Sequence, residues 1–175
     1  IIPGLHVVRP ADSNETAQAW RDAADHDGPT ALILSRQSLP ITTDGSAIAT
    51  GAGVGRAGSS AAQIVLVGTG SEVSVCVGAA KLLSESGTKV NVVSMPSFDR
   101  FEQQPAQYRT SVFPPNVPVV SVEAGVTFGW SQYADVSVGI DRFGASAPGS
   151  TVLKNLGISV ENVAEQARIA LSKSK

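Results

Sequence analysis

Residues 63–73, QIVLVGTGSEV, place a buried strand, a glycine turn and a helix start one after another. The continuous apolar run Ile64-Val65-Leu66-Val67 suits a parallel strand covered on both faces. Gly68 and Gly70 permit a tight turn, and Ser71 is expected to cap a helix whose first turn carries Glu72. Beyond it Cys76, Val77, Ala80 and Leu83 recur at helical spacing, so that face must lie on the strand. The rest of the chain reads as further strand and helix units added to the same sheet, an α/β protein.

A chain of 175 residues with 42% hydrophobic content can bury a core of one domain or slightly more. No apolar run approaches the ~20 residues that span a bilayer, and no basic-then-apolar signal opens the chain, so no membrane partner and a cytoplasmic location are expected. Cys76 is the one cysteine, which excludes an internal disulfide and a cysteine-rich metal site; it is expected to be a small buried residue. A net charge of −2 without a basic cluster argues against nucleic acid as a partner. Ile1-Ile2-Pro3-Gly4 leads straight into the strand-like Leu5-His6-Val7-Val8, and the expectation is a chain that starts inside a domain.

Arg9-Pro10 stops the first strand, and Asp12 or Ser13 can cap a helix to about His26, with Ala17, Trp20 and Ala24 as its apolar stripe. After Asp27-Gly28-Pro29, Thr30 to Leu34 is a second strand, so residues 1–38 form a β-α-β unit too small to stand as a domain. Residues 39–62 turn to Gly, Ser, Thr and Ala, a linker composition. Residues 53–58 spell G-x-G-x-x-G, but no apolar strand precedes them and no helix opens on the last glycine, so the dinucleotide reading is rejected. Further strands are expected at 89–93, 119–122 and 136–140, short helices over 98–103 and 105–111, and a C-terminal helix from Ser159 with Val160, Val163, Ala164, Ala167 and Leu171 on one face.

Few residues offer chemistry. Arg36 follows the carboxyl end of a buried strand, where open α/β sheets meet their ligands, and its guanidinium suits a phosphate or carboxylate; by spacing alone a surface salt bridge is the favoured reading. Gly68-Thr69-Gly70-Ser71 is either an anion turn at a helix N-terminus or a turn needed only for packing, and it lacks the Lys of a nucleotide P-loop. His6 and His26 have no Ser, Cys or carboxylate at catalytic spacing. Glu123 reads as an active-site carboxylate or a helix-dipole partner, Asp141 and Arg142 as a mutual pair, Trp130 and Tyr133 as an interface patch. Nothing here joins a nucleophile to its base.

The order of short blocks goes further. Arg9-Pro10-Ala11-Asp12, Asp27-Gly28-Pro29-Thr30-Ala31-Leu32, Leu34-Ser35-Arg36-Gln37, Thr69-Gly70-Ser71-Glu72-Val73, Val93-Ser94-Met95-Pro96-Ser97, Val122-Glu123-Ala124-Gly125 and Phe143-Gly144-Ala145-Ser146-Ala147-Pro148 together resemble transketolase. The resemblance divides the chain into the tail of the family's pyrimidine-binding domain (1–38), a linker (39–62) and its C-terminal domain (63–175). It implies a three-layer α/β/α fold with a mixed, mostly parallel five-stranded sheet whose first strand is antiparallel, preceded by a partial β-α-β unit. Near Val54 the family has a stronger apolar strand, so that edge is expected to be poorly formed here.

The resemblance also implies an activity, the transfer of a two-carbon ketol unit between sugar phosphates by a homodimer using thiamine diphosphate and Mg. By resemblance Arg36 matches the arginine that holds the substrate phosphate. The family's cofactor ligands, its activating glutamate and its proton-handling histidines fall upstream of Ile1, so no catalytic, cofactor-binding or metal-binding residue is expected in this chain, and it is expected to be inactive alone. The alternative is a stand-alone interaction subunit that docks on a separate chain carrying the cofactor. Residues 1–38 are expected to pack loosely or to pair with another copy.

Overall fold

The computed structural model describes residues 2–55 and 61–173. The second half of the glycine spelling at 53–58 therefore lies outside the described residues. The chain opens with strand β1 (His6–Val8), helix α1 (Ser13–Asp25) and strand β2 (Thr30–Leu32), the strands pairing in parallel with Val8 opposite Leu32. Helix α2 (Ala47–Thr50) and the two-residue strand β3 (Gly53–Val54) follow. The larger unit runs β4 (Ile64–Gly68), α3 (Glu72–Glu85), β5 (Val90–Ser94), α4 (Phe98–Glu102), α5 (Ala106–Val112), β6 (Val119–Val122), β7 (Val136–Val138), α6 (Gly149–Asn155) and α7 (Val160–Lys173).

Its five strands lie in the order β3-β5-β4-β6-β7, parallel except for β3, which runs antiparallel to β5. The mixed, mostly parallel sheet expected from the sequence is the one present. Strand alternation splits β4 between two apolar layers. Ile64 and Leu66 meet Cys76 and Leu83 of α3 and Val163 of α7 on one face, while Val65 and Val67 meet Met95, Phe101, Val112 and Trp130 on the other. Each such side chain contributes about 1.5–3 kcal/mol by leaving water. Helix α3 ends where Gly87, at φ +83°, lets its own N–H reach the Ser84 carbonyl and the Thr88 N–H reach that of Leu83.

Several expectations are corrected. The stripe Ala17, Trp20 and Ala24 faces solvent, and α1 instead buries Glu15 and Ala19. In α3 the buried face is Val73, Cys76, Ala79 and Leu83, with Val77 turned outward. Ser71 makes no cap bond; its hydroxyl donates to the Glu72 carboxylate instead. The stretch 39–62 is more than a tether, because Ile48 of α2 closes a small core with Val8 and Ala19, and the Tyr108 hydroxyl of α5 donates to the Ala52 carbonyl at 2.8 Å. The edge strand near Val54 is as short as expected. Helix α6, which the apolar pattern does not signal, buries no residue, and Trp130 is 2% exposed in a 3-10 turn instead of forming a surface patch.

Residues 1–38 are not loosely attached on their inner side. The Arg9 N–H donates to the Pro96 carbonyl at 2.8 Å, the Gly70 N–H to the Arg9 carbonyl at 3.1 Å, and Arg100 pairs with Asp22 at 2.7 Å.

Candidate functional site

The carboxyl ends of β1, β4 and β6 converge where the small unit meets the five-stranded sheet. β1 ends at Arg9, β4 turns through Gly68 to Ser71 into α3, and β6 ends at Glu123. Arg9 reaches across the seam: its guanidinium pairs with Glu72 at 2.6 Å, donates to the Thr69 carbonyl at 2.9 Å and to the Thr69 hydroxyl, and stands 3.8 Å from Glu123. Glu72 is 1% exposed and also accepts from the Ala124 N–H at 3.0 Å. A carboxylate so deep in the protein needs that cation, since removing one partner of a buried pair costs about 3–5 kcal/mol.

The glycine turn is shaped around this arginine. Gly70 sits at φ +54°, and a Cβ there would stand 2.8 Å from the Arg9 guanidinium carbon. Only glycine lets the arginine lie on the turn. Thr69 and Ser71 are buried, and the Gly70 N–H is already taken by the Arg9 carbonyl. The expected anion turn at Gly68, Thr69, Gly70 and Ser71 is thus covered by a cation of the chain itself.

Glu123 is neither a free carboxylate nor a helix partner. One oxygen accepts from the Trp130 indole N–H at 2.7 Å and the other from the Thr69 hydroxyl at 3.3 Å, which ties the indole into the same network. Asp141 does not pair with Arg142. It accepts from the Thr127 N–H and hydroxyl, both at 2.8 Å, and the backbone donor is the first cause of a carboxyl held below its ordinary value.

Arg36 lies just beyond β2 and is exposed. Among the described residues its side chain makes neither an ion pair nor a hydrogen bond, so the surface salt bridge allowed by the sequence is not formed. Beneath it opens a cleft of about 370 Å³ lined by Ser35, Arg36 and Gln37 from the small unit and by Arg9, Ser71, Glu72 and Ala124 at the seam. Ala145, Ala147 and Val152 close its far side. Among the described residues Arg36 and Arg9 are the cleft's cations and Glu72 its one acid. This arrangement can bind an anionic group at Arg36, with Arg9 already committed to Glu72.

A second polar cluster lies nearby. His6, 3% exposed, places its two ring nitrogens 2.6 Å from Asp99 and 3.0 Å from Asp22. Burial pushes the Asp99 carboxyl up, but hydrogen bonds from Ser97 and His6 outweigh it and hold the group below its ordinary value. His26 stacks beside His6 with ring centroids 5.0 Å apart. His6 thus ties the small unit to α4 of the larger one.

Asp12 caps α1, accepting from the Asn14 and Glu15 N–H groups at 3.0 and 3.1 Å, and also straps residues 42–43 through the Thr42 and Thr43 N–H groups at 2.7 Å. Burial raises its pKa, and these donors more than reverse the effect. Glu15, three residues on, reaches back to the Ala11 N–H at 2.7 Å, a variant of the capping box. Its other oxygen and the Ser94 hydroxyl face each other across the seam, buried and short of a well-formed bond, and burial pushes this carboxyl up. Burial likewise raises the Cys76 thiol, which is fully enclosed as expected.

Sequence reasoning singled out Arg36, the glycine turn and Glu123 but missed Arg9, the partner of the turn and of Glu123. Its signal was weak, an arginine closing a strand, because every one of its side-chain partners lies in the other unit. Among the described residues no three His, Cys, Asp or Glu side chains converge so as to hold a metal ion, and no helix is long and apolar enough to cross a membrane.

Comparison with known proteins agrees with this architecture. The family model described as the transketolase-like C-terminal domain matches residues 51–159, and that of the transketolase pyrimidine-binding domain matches residues 1–42. The transketolase of Halalkalibacterium halodurans is 43% identical over 97% of this chain, which spans 27% of that protein. A transketolase structure from Leishmania mexicana superposes with a TM-score of 0.93 at 43% identity, covering 98% of this chain and 26% of that one. A Pichia stipitis transketolase in complex with sedoheptulose 7-phosphate superposes at 0.92 with 38% identity, again over 98% of this chain and 26% of that one. The chain thus spans about a quarter of the length of these relatives, and it belongs to the transketolase family.

Proposed function

We propose that this chain forms the sugar-phosphate end of a transketolase, an enzyme that transfers a two-carbon ketol unit from a ketose phosphate to an aldose phosphate, and that Arg36 holds the substrate phosphate. The observation that carries this reading is the unpaired Arg36 guanidinium over a cleft of about 370 Å³ at the carboxyl ends of the strands. A planar fork that fixes the far end of a sugar phosphate leaves the carbonyl end free to be presented elsewhere, and that orientation lowers the entropic part of the barrier. The sugar phosphate seen with the Pichia stipitis relative is of the chemical class this site would take.

Thiamine diphosphate and its divalent metal do not fit the residues described here, since no donor cluster converges and the glycine turn at 68–71 is filled by Arg9. On this reading they are held by other parts of a homodimeric, cytoplasmic enzyme, and the 175 residues alone do not turn over. The test is Arg36→Ala in the full-length enzyme. The expected result is a KM for sedoheptulose 7-phosphate raised about ten- to a hundredfold, with little change for erythrulose, an unphosphorylated ketose. Equal effects on both donors would reject the role of Arg36.

A further inference from the structure

We infer that Arg9 is a positioning residue for Arg36, one that keeps the cleft's carboxylate engaged so that Arg36 stays free for the phosphate. The inference rests on the reading of Arg36 given above. Arg9 and Arg36 line the same cleft, where Glu72 is the only acid among the described residues, and Glu123 stands 3.8 Å from Arg9. Glu72 is buried and stands 2.6 Å from Arg9, while Arg36 has no partner among the described residues.

The division of labour follows from where the two arginines sit. The Arg9 backbone is pinned on both sides, its N–H to the Pro96 carbonyl and its carbonyl to the Gly70 N–H, and its side chain is held by Glu72 and the Thr69 carbonyl. Arg36 sits in an exposed segment after β2 and can swing. Without Arg9, a desolvated carboxylate would remain in a cleft whose one other cation among the described residues is Arg36, and it would draw that guanidinium inward and repel an incoming phosphate. The same arginine fixes the frame: Val8, just before Arg9, receives the Ile33 N–H at 2.8 Å, so anchoring the end of β1 also sets where the segment after β2 emerges.

The test compares Arg9→Met, Arg9→Lys and the double variant Arg9→Met/Glu72→Gln in the full-length enzyme, reading KM and kcat with sedoheptulose 7-phosphate and with erythrulose. Arg9→Met is expected to raise KM for the phosphorylated donor about tenfold relative to that for erythrulose, and Arg9→Lys to do so by less, because an ammonium keeps the charge but not the fork. In the double variant the competing carboxylate is gone, and the KM ratio is expected to return most of the way. Should Arg9→Met fail to fold, the lysine and double variants still read the ratio. Equal loss on both donors, or a double variant with the ratio of Arg9→Met, would make Arg9 a structural partner only and overturn the inference. Arg36→Ala run alongside separates the two claims: a shifted ratio there with none in the Arg9 variants defeats this inference alone, and an unshifted ratio in Arg36→Ala defeats both.

Discussion

Leu66 lies in an apolar cluster with Cys76, Leu83, Val120 and Val163, and the strand that carries it is buried along its whole length. Around Glu15 the interior is different: Val8 and Ala19 of the small unit form a small apolar cluster with Ile48 of α2, and His6, Asp12 and Glu15 are packed just as deeply. Burial without direction holds the five-stranded unit, whereas donors and acceptors with fixed partners hold the β-α-β unit to it. The first kind of interior tolerates substitutions of equal volume; the second depends on single atoms.

The sharpest way to break this contrast is Leu66→Ala. Emptying the centre of the sheet is expected to cost about 2–5 kcal/mol, and to lower the denaturation midpoint of both units together because the small one leans on the sheet. Chemical denaturation followed by circular dichroism reads it; a loss below 1 kcal/mol would show that the core is not concentrated at β4. Asp12→Ala should come next, at about 2 kcal/mol, since it removes a helix cap and strands the donors of residues 42–43. Native-state amide exchange should then speed up across α1 and β2 and leave Ile64–Gly68 unchanged, and uniform acceleration would contradict the idea of two differently held regions.

The smallest effect has the opposite sign. Because the Glu15 pKa is raised on folding, its contribution is complete below the ordinary value of 4.5 and is lost as pH rises through the raised one. Glu15→Gln keeps an acceptor for the Ala11 N–H, adds a donor toward Ser94 and carries no charge. It is expected to be more stable than the parent at neutral pH by about 1 kcal/mol, with the gain vanishing below pH 4. Denaturation at pH 4 and pH 7.5 decides it; a gain that does not depend on pH would mean that burial of charge is not the cause.

The two regions also differed in how far the amino-acid order revealed them. The strands at 64–67 and 119–122 and the C-terminal helix were legible because runs of Ile, Val and Leu with their glycine stops leave few other conformations. The face of α1 was not, because apolar periodicity favoured Ala17, Trp20 and Ala24, while the helix turns Glu15 inward to reach a backbone N–H and a serine of another unit. Helix α6 escaped notice for lack of a buried stripe, although Pro148 before it is a start signal that was there to be used. Of the candidate site, Arg36 and the turn could be named from position and block order. Arg9 could not be tied to Glu72 by any spacing, since the pair exists only once the end of β1 docks on the turn after β4.

The two tryptophans of the chain fall one on each side of this divide. Trp20 stands 60% exposed on α1, and Trp130 is enclosed beside Phe98, its indole N–H held by Glu123. The protein therefore contains its own pair of optical reporters, one bathed in water and open to a collisional quencher, the other shielded and bonded to the network at the seam. Emission from the shielded indole registers the state of the Arg9, Thr69 and Glu123 junction without any label, and replacing Trp20 by Phe would leave that signal alone in the spectrum.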